Sequence, residues 1–248
     1  DRNRWYYSAI ETAYANGALV NESMNCRPTD SITREEMAKM TIRALGYGML
    51  TGTASGRCPF EDVSVARGYV ALAYEMGIIK GINEKTFSPK GKTTREQAAA
   101  VLQRTYDRLH AAVTVKEAAS APSGAAAAES VTGSGRVPVS PRAPLANVYM
   151  AALSAAGGTV AINAVPFEQT VRDGKTQKER TLTEKELNEL LARSGTVSYY
   201  SEQHKSSCAY RSEKNGTVVT VWYETEADIA EKVTLCRVLG VKTVYVLK

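Results

Sequence analysis

Two arginines recur in one setting. Arg34 and Arg95 sit in Ile-Thr-Arg-Glu at 32–35 and Thr-Thr-Arg-Glu at 93–96. A guanidinium is a planar cationic fork that can grip a carboxylate through two hydrogen bonds, which a point-charge Lys cannot. Each could equally pair with carboxylates close by at the start of its own helix. Glu224 and Glu226, just past an apolar run, and Glu202 are the carboxylates placed to form an acid pair. Two glutamates straddling a helix start serve as partners of the helix dipole or as solvated charges, so no catalysis is assigned to them. His110 and His204 stand alone, with no nucleophile-elbow or P-loop pattern beside them. Cys26, Cys58, Cys208 and Cys236 lack a C-x-x-C spacing, which argues against a zinc site or a redox motif. Neither metal nor cofactor is expected. A Cys26–Cys58 bridge and two buried free thiols both fit an exported protein.

The elements that must position the arginines come in two copies about 60 residues apart. In the first, Trp5, Tyr6, Ala9, Ile10, Ala13 and Tyr14 form one helix face, and Gly17 stops it. In the second, Tyr69, Val70, Ala73 and Tyr74 form the stripe and Gly77 ends it. Each copy then has a Pro, a polar loop and a second helix start. Thr33 with Glu36, and Thr94 with Gln97, have the spacing of capping boxes, each contributing about 1 kcal/mol. Behind them Met37, Met40, Thr41, Ala44 and Leu45 are mirrored by Ala98, Val101, Leu102, Thr105 and Tyr106, the expected inward faces. Each copy reads as helix, loop, helix.

The two T-R-E motifs, the Phe-Glu-Asp at 60–62, the Phe-x-Pro at 87–89 and the Gly-Ile-Ile-x-Gly at 77–81 resemble surface-layer-homology repeats. The resemblance implies an all-helical module, usually of three repeats about a pseudo-threefold axis. It implies grooves that bind secondary cell-wall polysaccharide, an anionic polymer often carrying pyruvyl ketals, and so a place outside the cell at the wall of a bacterium. Carried over by motif, the binding arginine falls on Arg34 and Arg95, the acidic position on Asp62 and Asp1, and the aromatic position on Trp5. Trp5 also reads as a helix-packing core residue. The second copy has no Trp near Val65. The text opens mid-pattern at Asp1, without an initiator Met or signal peptide, and so reads as a mature product or a fragment with a third repeat ahead of it.

From 111 to 145 the chain turns to Ala, Ser, Gly and Pro, the composition of a spacer. Over 146–248 apolar runs of strand length alternate with capped helices. Residues 159–165 read as a strand and Thr183 with Glu186 as a helix cap. Residues 209–211 and 218–223 flank Asn215-Gly216 as a hairpin, Thr225 with Asp228 opens a helix, and 243–247 reads as a buried strand. The wording of this part resembles the end of a family 18 glycoside hydrolase barrel. The general acid of such enzymes closes a D-x-x-D-x-D-x-E run, and this chain contains none.

The expected class is therefore multidomain. All-α repeats (1–110, divided near 57) precede a linker (111–145) and a partial, incomplete TIM-barrel-like α/β segment (146–248). The net charge of +5 is not gathered into basic runs, so nucleic acid is not an expected partner. No stretch approaches the roughly 18 apolar residues of a membrane span. Two readings stay open. One is non-covalent anchoring to the wall; the other is a wall-anchored glycoside hydrolase, for peptidoglycan or chitin-type substrates, of which this is a truncated or degenerate copy.

Overall fold

The computed structural model describes residues 2–20, 26–119, 141–155 and 157–248. The chain divides into two compact units, Asp1–His110 and Ala111–Lys248.

The first unit shows its repeat in the backbone. Helix α1 (Tyr7–Ala15) and helix α4 (Arg67–Glu75) have nine residues each, and each is followed by a Gly at φ 70°, Gly17 and Gly77. Helices α2 (Arg34–Ala44) and α5 (Arg95–Leu109) both start on the arginine of the T-R-E motif. Both capping boxes form: Thr33 and Thr94 accept from the amides of Glu36 and Gln97, whose side chains accept from the cap amides in return. A short 3-10 helix (Gly48–Leu50) and α3 (Thr51–Ser55) join the copies.

Burial is uneven between them. Helix α4 buries Gly68, Val70, Ala71, Leu72 and Ala73, whereas α1 buries none of its residues. The reason is in the residues themselves. Ser8, Glu11 and Thr12 occupy in α1 the places that Gly68, Ala71 and Leu72 hold in α4, so α1 lacks the second apolar face that α4 presses onto α3. Trp5 is 91% exposed, which sets aside its core reading. Leu102 and Tyr106, expected to face inward, are exposed on α5, while Val101 is buried as expected.

In the second unit α6 (Leu145–Ser154) precedes β2 (Thr159–Asn163), and α8 (Glu226–Val238) precedes β8 (Thr243–Leu247). These strands belong to a three-stranded parallel sheet of order β1-β8-β2, in which β1 (Thr114–Ala118) pairs Thr114 with Thr243. Val148, Tyr149, Val160, Ile162, Leu235, Cys236 and Val244 form its core. A separate five-stranded antiparallel sheet has the order β4-β3-β7-β6-β5. Its strands are β3 (Phe167–Arg172), β4 (Lys175–Thr181), β5 (Val197–Ser201), β6 (Ser206–Ser212) and β7 (Thr217–Tyr223). Helix α7 (Glu184–Leu191), opened by the Thr183–Glu186 capping box, sets Leu187 and Leu190 on Val219 and Val221 of that sheet.

The expected fold class is corrected by these sheets. Taken whole, the chain is mixed α/β, with eight α-helices and eight strands in two sheets among the described residues, not an all-α repeat region ahead of an incomplete barrel. Even the helical unit carries an antiparallel bridge, Thr33 to Lys92. Strand β1 lies inside the stretch read as linker; 120–140 of that stretch fall outside the described residues. All four cysteines are free, with Cys26 exposed and the other three buried.

Gly68 is fixed by close approach, not by its backbone conformation. A Cβ on Gly68 would stand 2.1 Å from the carbonyl oxygen of Thr51, so α4 could not lie on α3. Gly68→Ala is expected to lower the stability of the first unit by about 1–3 kcal/mol, read from chemical denaturation followed by the helical circular dichroism signal.

Candidate functional site

The site is assembled where one repeat reaches into the next. The capping box of α2 fixes the direction of its first turn, and Arg34 leaves that turn toward the loops of the second copy. Its Nε donates to the carbonyl oxygen of Phe87 at 2.7 Å and its Nη2 to that of Lys80 at 2.7 Å. The guanidinium also lies 4.5 Å from the centre of the Phe87 ring. The backbone makes the same crossing: the amides of Arg34 and Glu35 donate to Gly91 and Pro89, and Thr93 donates to Ile32.

Asp62 braces this contact from the far side. Its two oxygens accept from the amides of Phe87 (2.9 Å) and Ser88 (2.7 Å), which holds Ser88 at φ 60°. Burial works to raise the Asp62 pKa, but the two amide bonds and the Arg34 charge outweigh it, so the carboxyl titrates below its usual range. Burial lowers the pKa of Arg34, and Asp62 opposes that.

Beside the contact lies a cavity of ≈ 180 Å³, whose lining includes Arg34, Lys80, Thr93, Gln97, Val101 and Arg104 and no carboxylate. Arg104 donates from Nη1 to the carbonyl oxygen of Ile78 at 3.3 Å. The Thr93 hydroxyl is buried and has no hydrogen-bond partner. The arrangement is a small, positively charged recess with spare donors, suited to an anionic oxygen group.

The sequence-predicted residues part company here. The fold brings Arg34 and Asp62 together. Arg95 is exposed at the start of α5 and does not line this cavity. Trp5 lines a different and larger groove of ≈ 750 Å³ and packs edge-on against Tyr6. Asp1 lies outside the described residues. Sequence reasoning missed Arg104, although its recurrence at the template position of Arg43 was a usable signal.

The carboxylates of the second unit are engaged elsewhere. The Glu224 side chain is fully buried against the equally buried Lys232, and both meet the Ser206 hydroxyl. Burial pushes the Glu224 carboxyl up to about 7 and draws Lys232 down. Glu202 pairs with Lys205, and His204 packs on Trp222 and bonds Ser201. Among the described residues no His, Cys, Asp or Glu cluster could hold a metal, and no helix is long and apolar enough to cross a membrane.

Residues 59–99 match the family model described as the S-layer homology domain. This stretch is an S-layer homology domain. It contains Asp62, Phe87, Thr93 and Gln97, and the flanking Arg34 and Arg104 complete the cavity around it. Such a domain implies anchoring at the cell wall and binds cell-wall polysaccharide in general, which places the chain at the cell surface.

Curated relatives share this signature at high identity. An amylopullulanase of Thermoanaerobacterium thermosulfurigenes is 44% identical over 105 residues, covering 40% of this chain and 6% of that protein. The exoglucanase XynX of Acetivibrio thermocellus is also 44% identical over 105 residues, covering 40% of this chain and 10% of that protein. The chain thus spans a tenth or less of the length of these two relatives. Among solved structures, the spore cortex-lytic enzyme SleL of Bacillus cereus aligns at 16% identity with a TM-score of 0.38, covering 43% of this chain and 26% of that one. The C-terminal domain of a chitinase-like protein from Desulfitobacterium hafniense aligns at 15% identity and a TM-score of 0.37, covering 61% and 47%. Structural likeness this weak does not fix a shared fold.

The buried Glu224–Lys232 pair yields a stability test. Lys232→Met leaves a buried carboxylate without its cation and is expected to cost about 3–5 kcal/mol, with Lys232→Met/Glu224→Leu recovering most of it. Denaturation followed by Trp222 fluorescence in a Trp5→Phe background measures both.

Proposed function

We propose that the helical unit anchors the chain non-covalently to the bacterial cell wall by holding an anionic substituent of a secondary cell-wall polysaccharide in the recess between the two repeats. The observation that carries this reading is the pairing of two arginines, Arg34 and Arg104, with the unpartnered Thr93 hydroxyl in a cavity free of carboxylates. Arg34 donates from two of its three nitrogens to Phe87 and Lys80, which leaves Nη1 to meet a ligand. The volume of ≈ 180 Å³ suits a carboxylate-bearing group such as a pyruvyl ketal, with the sugar ring outside. Asp62 acts through the loop: by holding the Phe87 and Ser88 amides it fixes the carbonyl that Arg34 grips. Trp5 and Arg95 do not line this recess.

The relatives' names favour a second reading, in which the wall anchor serves a glycoside hydrolase. They are named as an amylopullulanase and an exoglucanase, and this chain matches only a small part of each. Without a D-x-x-D-x-D-x-E run, and with Glu224 locked to Lys232, this chain would supply the anchorage and not the hydrolysis.

Two measurements test these readings. Binding to purified pyruvylated wall polysaccharide should weaken with added salt. It should fall by about tenfold or more in Arg104→Ala, the loss of a charge-assisted hydrogen bond. Arg34→Ala should fall at least as far, since it also loosens the junction. Equal retention of the wild type and the double variant on wall sacculi would remove the proposal. The chain is also expected to release no sugar from chitin oligosaccharides or peptidoglycan. Turnover that survives repurification and exceeds a heat-inactivated control would instead show that this chain itself hydrolyses and would overturn the assignment of anchorage alone.

A further inference from the structure

Strand β5 reads Val-Ser-Tyr-Tyr-Ser and ends the five-stranded sheet. A terminal strand leaves alternate N–H and C=O groups without a ladder partner, and proteins guard such an edge with Lys, Pro or a bulge. The opposite edge is guarded: β4 carries Lys175, Lys178 and Arg180, and its pairing with β3 shifts register between Thr170 and Val171. Strand β5 has none of these devices. It holds no charge and no proline, pairs with β6 without a register shift, and is exposed from Val197 to Tyr200.

The unpaired groups can be named. Glu213 donates its amide to Thr217 across the β6–β7 turn, so every second residue back along β6, Arg211, Ala209 and Ser207, directs its backbone toward β7. Ser207 agrees, since its amide donates to Asp228 beyond the end of β7. The residues between them, Ser206, Cys208 and Tyr210, therefore bond Ser201, Tyr199 and Val197. The backbone groups of Ser198 and Tyr200 point outward and have no partner among the described residues. The edge is also held in place, because the Tyr200 hydroxyl donates to Glu231 of α8 at 2.7 Å. One face of the edge presents Val197 (49% exposed), Tyr199 (43%) and, opposite Val197 on β6, Tyr210 (41%). The Tyr210 ring stands edge-on to that of Tyr199, 6.0 Å between centres.

We infer that β5 pairs antiparallel with β5 of a second copy about a two-fold axis at Tyr199, joining the two five-stranded sheets into one. In this register Ser198 of each copy exchanges both backbone hydrogen bonds with Tyr200 of the other, so every outward group is satisfied. The two Tyr199 side chains meet in the closer, non-hydrogen-bonded position and extend the Tyr199–Tyr210 contact across the axis. A second copy is the occupant because the strand is its own complement. No charge lies on it to repel its twin, and the charges beyond its ends match. Glu202 of one copy comes beside Thr196 of the other, in the turn that carries Arg193, an exposed cation without an ion pair to any described residue. The contact is isologous and closes as a dimer. It lies wholly in the second unit and is independent of the ligand proposed above.

Sedimentation velocity of the full 248-residue chain tests this, under reducing conditions so that exposed Cys26 forms no adventitious bridge. The wild type should pass from monomer to dimer as its concentration rises, and no further. Tyr199→Lys and Tyr199→Glu each set like charges opposite one another on the axis, and each should stay monomeric. Mixed, they should restore a one-to-one dimer, because the substituted charges then attract. Ser198→Pro removes an outward donor at an edge position that tolerates proline, and should weaken the dimer by about tenfold or more with the circular dichroism unchanged. A wild type that stays monomeric up to roughly 1 mM overturns the inference. So do Tyr199 variants that dimerise as the wild type does, or well-folded ones that fail to associate when mixed. Should the Tyr199 variants lose the sheet signal, Ser198→Pro decides, and an undiminished dimer overturns the inference.

Discussion

Everything proposed for the helical unit depends on one crossing interaction, the guanidinium of Arg34 bridging two carbonyls of the next repeat. A helix–loop–helix of this size buries too little apolar surface to stand alone, and repeats of this kind gain their core by stacking. Hydrogen bonds to a charged donor contribute about 1.5–3 kcal/mol each and fix direction as well as energy. Arg34 therefore sets the register of the two copies, and Asp62 sets the loop that Arg34 reads. The cavity is a by-product of that register: it lies where α2 of one copy, α5 of the next and the loop after Gly77 fail to close completely.

The same residue is thus both strut and ligand candidate, and the two roles do not compete. Nε and Nη2 are committed to backbone, while Nη1 remains with Arg104 at the recess. In the second unit the polar chemistry points the other way. Glu224, Lys232 and Ser206 satisfy one another at the corner between β7 and α8. Their burial accounts for their shifted titration without an active site, since a buried carboxylate and a buried ammonium both move toward neutrality.

Local signals in the sequence carried well. The Thr33–Glu36, Thr94–Gln97, Thr183–Glu186 and Thr225–Asp228 capping boxes all form, because each is decided by residues three positions apart. Asn215-Gly216 makes its hairpin turn for the same reason. What escaped was set by distant partners. Strand β1 has only the short sequence Thr-Val-Lys-Glu-Ala and becomes a strand through β8, more than a hundred residues later. The hairpin of β3 and β4 was overlooked although Asp173-Gly174, both at positive φ, marks its turn. At the site, the fold brings together Arg34 of the T-R-E motif and Asp62 of the Phe-Glu-Asp motif, both engaging the loop at Phe87. Arg95 has the same motif but is exposed at the start of α5 and does not line the cavity, so its environment could not be read from its own neighbours.

The account rests on where the polysaccharide group sits. The most direct measurement is a titration of the isotope-labelled chain with a pyruvylated fragment of wall polysaccharide, followed by NMR at backbone amides and arginine Nε–H groups. Saturable shifts at Thr93, Gln97, Arg104 and Arg34, with none at Trp5, are the expected result. Shifts confined to Trp5 and the face of α1, leaving the junction unchanged, would contradict it.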